Sequence, residues 1–436
     1  MSILVAYPGS GEFAQQVALA MLEDGVLEAF VTSFGVHPDD GALRALAALP
    51  GRGPAHLARA LARRSLSLLP ADKIIRRAGP ELLRTLAFQA GLGPHTVDRL
   101  WDLMAHDFTR NLARLVRARA PTAVYGYEYT AREAFVAAQE TGTIRILDLP
   151  SLSSAGLERL LLREAERFPE LSFARGRYFR RRFPERQARR DAEIAAADLI
   201  VCNSSVTRAS HIAEGADGTR MIVVPLAAPP TVAALRPRAV SGPLRLIWAG
   251  TFSVRKGAHY LLAACRSGNL AGLVIDVYGT LTLSAHACTP LPDFVHFHGA
   301  IAQSELLAQF EDADALIFPT LSDGFGLVIT EALSRGLPVI TTDRAGAADL
   351  IRHEENGLII AAHDADAITQ AIVWCLDHRA QLQAMRPSAL ASAKARQWPQ
   401  YRREFMAALR RGFGERGLSW PHAGSDRVNL DEHQAG

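Results

Sequence analysis

Short apolar runs alternate with amphipathic segments along most of the chain. Residues 3–7, 123–127, 144–149, 199–202 and 221–224 are mostly apolar and of strand length. Between them, residues 12–22, 97–118 and 131–140 repeat their apolar positions every three to four residues, which predicts helices. Strands separated by helices of this kind build a parallel sheet covered on both faces. The pattern breaks at 225–241, PLAAPPTVAALRPRAVS, which holds four prolines and no clear period. A second series then begins: strands at 244–249, 274–278, 294–297, 315–319 and 338–342, with helices at 256–265, 304–311 and 327–334. Residues 397–413 are helical again, with Tyr401, Phe405 and Leu409 four apart.

The expected fold class is therefore α/β, two doubly wound Rossmann-like domains in tandem with a cleft between them. Residues 1–228 form the first domain, 229–241 the linker and 242–395 the second domain. A last helix, 396–414, crosses back to the first domain, and 415–436, polar and rich in Gly, Asp and His, form a mobile tail. The length of 436 residues suits two such domains, and 49% hydrophobic with 21% charged residues excludes general disorder. A net charge of +3 does not by itself imply a nucleic-acid or membrane partner. The four cysteines lie far apart without metal spacing and read as free thiols of a reducing compartment. With no leader-like start and no run long enough to span a bilayer, the expected location is the cytoplasm.

The candidate chemistry lies at the ends of two strands of the second domain. Strand 315–319 runs into TLSDGFG and a helix, so Asp323, Gly324, Phe325 and Gly326 occupy the strand-to-helix turn, with Leu327 opening the helix. Such a turn presents free backbone N–H groups and the positive end of a helix dipole, which suits a phosphate. Glu331, about one turn into the helix, can accept two hydrogen bonds from a ribose diol. Strand 244–249 ends in Gly250, Thr251 and then Arg255-Lys256-Gly257. A guanidinium beside an ammonium suits a diphosphate. Lys256 is also one of only three lysines among 48 basic residues.

These residues resemble glycosyltransferase family 4, of the GT-B fold. The family carries an acid, seven residues and a glutamate spanning a G-F-G loop; here these are Asp323 and Glu331. Asp323 stands where the family usually has Glu. The family's R-K-G turn is present at 255–257, but Thr251 replaces an earlier Arg. Residues 294–299 and 338–358 match well, and the backbone around Ala300 would read the base. In the first domain, 197–204, ADLIVCNS, matches as well. Many relatives place a His after a strand of the first domain to touch the sugar. Here PSLSS follows 144–149, and that role has no residue.

The resemblance implies a hexosyltransferase that uses a nucleoside-diphosphate sugar, with retention of configuration and without a metal or other cofactor. Arg255, Lys256 and Asp323 would be its catalytic groups. Gly250, Thr251, Ala300, Gly324, Phe325, Gly326, Leu327 and Glu331 would hold the donor. Two DxD strings, 312–314 and 364–366, have ordinary helix-end explanations. On the acceptor side, Gly9, Ser10 and Gly11 follow the opening strand and read equally as a plain strand-to-helix turn; Glu128 ends another strand and reads more readily as a structural carboxylate than as an acceptor-side group. The acceptor, a glycan, lipid-linked or small molecule, would be extended in cell-surface polysaccharide or glycoconjugate synthesis. Residues 175–190 hold eight arginines and 56–77 are also basic. They suggest attraction to an anionic membrane surface, as a peripheral contact at the inner face of the cell membrane, or to a polyprenyl-diphosphate acceptor; the alternative is solvated helix faces. No nucleic-acid partner is expected. A sugar-nucleotide 2-epimerase and a non-catalytic sugar-nucleotide binder remain as alternatives.

Overall fold

Two all-parallel sheets organise the protein. The structure, a computed structural model, describes residues 2–41, 64–171, 177–237, 241–284 and 286–421, and only the backbone of residues 89 and 177–180. The start of the basic stretch from residue 56, up to 63, the first residues of the arginine-rich run, part of the 229–241 segment and most of the polar tail lie outside the described residues.

The first sheet contains β1 (Ile3–Ala6), β2 (Leu27–Thr32), β3 (Ile74–Arg76), β4 (Ala123–Tyr127), β5 (Ile144–Leu149), β6 (Leu199–Cys202) and β7 (Met221–Val223). Its order is β3-β2-β1-β4-β5-β6-β7. The second contains β8 (Leu244–Ala249), β9 (Leu273–Tyr278), β10 (Val295–Gly299), β11 (Ala315–Phe318), β12 (Val339–Thr342) and β13 (Gly357–Ile360), in the order β10-β9-β8-β11-β12-β13. In each sheet the chain works outward from one central strand, then returns and works outward the other way. The reversal leaves a crevice beyond the carboxyl ends of β1 and β4, and another beyond those of β8 and β11.

Register explains why the central strands read as apolar runs. Val5 lies between Phe30 and Tyr125, and Ile247 lies between Asp276 and Leu316. Strands covered on both faces have no polar side. β1 and β4 are fully buried, as is β11. The core of the second sheet gathers Trp248, Phe252, Ile275, Val277 and Ile317. β2 and β3 are not among the strands the pattern predicts. Glu28 interrupts the first, and the second is three residues inside a basic stretch.

By contacts the chain divides into two compact units that are not contiguous in sequence. One comprises residues 1–148, 182–201 and 402–436; the other comprises 149–181 and 202–401. The first thus takes most of the helix Trp398–Gly414, whose Phe405 ring lies 5.9 Å from Tyr125 and whose Arg402 pairs with Glu23 at 2.8 Å. The second takes the helix Ser154–Arg167, whose Leu160 and Leu161 pack on its core.

The arginine-rich helix Arg177–Ala196 belongs in good part to the first unit's packing. Arg182 and Arg186 both reach Asp98 and Asp102. Arg189 bonds Glu133, and Arg190 lies 3.2 Å from Glu128. Positions 182, 186, 189 and 190 share one helix face, so half of the run's eight arginines are neutralised by the fold itself. No helix among the described residues is long and apolar enough to cross a membrane.

Candidate active site

The second unit brings the two predicted strand-end segments together at its crevice. After β8, Gly250 adopts φ +108 and donates its N–H to Tyr278 at 2.8 Å, leaving Thr251 exposed. The turn Val254–Lys256 follows, closed by Gly257 at φ +79. A Cβ on Gly257 would lie 2.0 Å from the Pro319 carbonyl oxygen, so only glycine lets this turn approach the end of β11.

The Arg255 carbonyl accepts the Leu321 N–H at 3.0 Å, and its guanidinium donates to the Ser322 carbonyl at 3.2 Å. The Lys256 ammonium donates to the Asp323 carboxylate and sits 4.6 Å from the centre of the Phe318 ring. Both side chains are largely shielded, at 12% and 15% exposure. Burial, then the adjacent Arg255 charge, pulls the Lys256 pKa down to about 7. Burial also lowers the pKa of Arg255.

The 323–326 loop is held from three sides. The Asp323 N–H donates to the Arg344 carbonyl at 3.0 Å, and the Ala347 N–H donates to the Phe325 carbonyl at 2.6 Å. The Gly324 carbonyl accepts from the Ser204 and Thr207 hydroxyls, at 2.6 and 3.1 Å. A Cβ on Gly324 would meet the Pro150 carbonyl oxygen at 2.7 Å. Gly326, at φ +85, starts the helix Leu327–Ser334, and no side chain caps it. Phe325 is buried beneath the loop, while Leu327 is exposed at the helix start.

Glu331 lies on that helix and accepts from the Gln303 side-chain amide at 2.6 Å. Burial raises its pKa, and that hydrogen bond works against the rise. Ala300 is exposed just past the end of β10. All the donor-side candidates therefore stand at carboxyl ends of strands of one sheet or in the helix that follows. The sequence reading did not single out Gln303, Ser204 or Thr207. Ser204 does carry a local signal, because it caps the helix Ser205–Ile212 by accepting the Thr207 N–H.

The two DxD strings serve the fold. Asp312 ends the helix Gln303–Glu311, Asp314 accepts from the Arg245 N–H, Arg379 and Gln383, and Asp364 caps the helix Ala365–Asp377. Among the described residues no group of three or more His, Cys, Asp or Glu could hold a metal ion.

In the first unit, Gly9, Ser10 and Gly11 follow β1 and are half-buried. Thr32 donates to the Gly9 carbonyl at 2.8 Å, and Gln15 donates to that of Ser10 at 2.9 Å. Glu128 follows β4, on the same crevice, but its carboxylate is buried against Arg190. A carboxyl that the sequence reading passed over stands nearby. Asp148, on β5, is buried and bonded by the Tyr125 hydroxyl. Burial pushes its pKa up to about 7, against the hydrogen bonds of Tyr125 and Tyr127.

Residues 243–378, which span this strand-end site, match the family described as "Glycosyl transferases group 1". The matched stretch is about a third of the chain. It is similar to the GDP-mannose-dependent alpha-(1-6)-phosphatidylinositol monomannoside mannosyltransferase of Mycobacterium tuberculosis, at 32% identity over 171 residues, 35% of this chain and 43% of that one. The chain spans less than half the length of the curated relatives it matches. Among solved structures, the lipopolysaccharide outer core galactosyltransferase WaaB superposes with a TM-score of 0.60 at 12% identity, covering 94% of this chain and 99% of that one. Anabaena HepE in complex with UDP-glucose superposes with a TM-score of 0.57 at 15% identity, covering 94% and 100%. These whole-chain likenesses show the fold, two Rossmann-like parallel-sheet domains of the GT-B type.

Proposed function

We propose that the protein is a glycosyltransferase that moves a hexose from a nucleoside-diphosphate sugar to an acceptor, with retention of configuration. The observation that carries this reading is the pairing of the Arg255–Lys256 turn with the 323–326 loop at the reversal point of one doubly wound sheet. Bond cleavage at the sugar places growing negative charge on the departing diphosphate. Arg255 and Lys256 bond the 322–323 segment that leads into the helix Leu327–Ser334, and with that helix's N-terminus they would meet the charge. Glu331 holds the ribose, with Gln303 orienting its carboxylate. The Asp323 carboxylate, now bonded to Lys256, contacts the donor sugar once phosphate oxygens take over the ammonium. On this reading the diphosphate charge is met by protein groups, and turnover is expected to persist in EDTA.

Relatives with UDP-glucose and GDP-mannose in their names make uridine and guanosine donors the first to test. The test is a thermal-shift and calorimetric screen of nucleoside-diphosphate sugars, followed by assay for transfer. The expected result is micromolar binding of one base class, lost on Glu331→Ala. Absence of binding by every nucleoside diphosphate would overturn the proposal. A peripheral contact with anionic membrane belongs to the same reading. Because Arg182, Arg186, Arg189 and Arg190 are already paired, it would rest on the remaining basic residues. Equal sedimentation with neutral and anionic vesicles would remove it.

A further inference from the structure

A cavity of about 560 Å³ opens in the second unit, with Leu321 and Ser322 of the candidate site's loop in its wall. Its walls are the helices Ser154–Arg167 and Ser205–Ile212, with Leu321, Ser322 and Arg344 at the strand ends. The volume falls within the range of small-molecule sites. None of Gly250, Thr251, Lys256, Glu331 or Ala300 lines it.

The chemistry of the lining is two-sided. Leu157, Leu160 and Val206 give it an apolar wall. Arg159, Arg163 and Arg344 bring guanidinium groups. Arg159 is committed to Glu214, and Arg344 has only the exposed Asp343 beside it at 3.3 Å. Arg163 is exposed and has no hydrogen-bond or ion-pair partner among the described residues. An unpaired guanidinium over an apolar wall suits an anionic group joined to a hydrocarbon, with phosphate the best geometric match. The cavity is also tied to the reacting region. Ser322 lines it, and the backbone carbonyl of Arg344 accepts the Asp323 N–H at 3.0 Å.

We propose that this cavity is the acceptor site, and that it takes a phosphate ester carrying an apolar chain, with Arg163 binding the phosphate. The proposal rests on the reading of the protein as a glycosyltransferase, and it names the class of its second substrate. Leu157 and Leu160 take the first carbons of the chain, while Arg163 and Arg344 meet the phosphate charge.

The test is calorimetric titration of the full chain with geranyl phosphate, below its aggregation range, against geraniol and inorganic phosphate. Geranyl phosphate is expected to bind at least tenfold more tightly than either control. Arg163→Ala is expected to lower that affinity about tenfold, consistent with loss of one charge-assisted contact. Ala209→Trp, at an exposed position on the lining, is expected to abolish it without disturbing the core. Unchanged affinity in both variants, or inorganic phosphate binding as tightly as the ester, would overturn the proposal. UDP and GDP are titrated separately into the same proteins. Nucleotide binding with no geranyl phosphate binding sinks the acceptor site alone, whereas loss of all nucleotide binding sinks the transferase reading.

Discussion

The Lys256 ammonium is bonded to the Asp323 carboxylate across the gap between the ends of β8 and β11. The pair joins two segments 67 residues apart. Burial and the neighbouring Arg255 charge draw the lysine pKa down to about 7.

Lys256→Ala removes the cation nearest the leaving group. It is expected to lower kcat/KM by roughly 10²-fold. Asp323→Asn is expected to leave nucleoside-diphosphate affinity within a few-fold while kcat falls. Steady-state kinetics beside nucleotide titration separates the two, and near-normal turnover of Lys256→Ala would refute the assignment.

Glu331 is expected to read the ribose. Glu331→Gln should cost about tenfold in nucleoside-diphosphate affinity, as the loss of one or two hydrogen bonds to a charged group predicts. The decisive comparison is with the 2′-deoxy nucleotide. The wild-type protein should distinguish it from the ribonucleotide, and the variant should not. Gln303→Ala, which frees the carboxylate rather than removing it, should have a smaller effect of the same sign.

Glu164 ties the helix Ser154–Arg167 to the second unit's core. The residue is 3% exposed, and its carboxylate accepts from His259 and His363 at 2.8 and 2.9 Å. Burial alone would raise its pKa; the two histidines outweigh burial and bring it to about 2. A depressed carboxyl pKa stabilises the fold above the unfolded value near 4.5, and that stability is lost as the pH falls toward 2. Glu164→Gln should therefore cost about 2 kcal/mol at pH 7, and the difference should shrink steadily below pH 4.5. Denaturant titrations at several pH values check this.

Asp148 has the opposite sign. Its folded pKa of about 7 lies above the ordinary 3.8, so between these values the unfolded chain is ionised while the folded one keeps its proton. Stability attributable to this group falls as pH rises through that window. Asp148→Asn should raise the unfolding temperature at pH 8 and leave it nearly unchanged at pH 4. An unchanged difference at both values would show that the carboxyl is not buried as described.

Much of the architecture was legible because parallel strands covered on both faces must be continuously apolar. β4, β5, β6 and β8 lie within the bounds their apolar runs predict, as does the helix Leu327–Ser334. β2 and β3 were not legible. A glutamate breaks one run, and the other depends on neighbours for its pairing rather than on its own pattern. The 175–190 run shows a limit of another kind. Its composition suggested a solvated or membrane-facing surface, but four of its arginines meet acids contributed by distant elements.

The sequence by itself determined the alternation of strands and helices, and it marked Arg255, Lys256, Asp323 and Glu331 as groups that sit at strand ends. It could do so because burial pattern and glycine turns are local properties, written in consecutive residues. Only the tertiary structure decided that Lys256 bonds Asp323, that Gln303 holds Glu331, that Ser204 and Thr207 hold the Gly324 carbonyl, and that Glu164 is shared by two histidines. Each of these joins residues brought near by strand order, and strand order is set by how the whole sheet buries its faces.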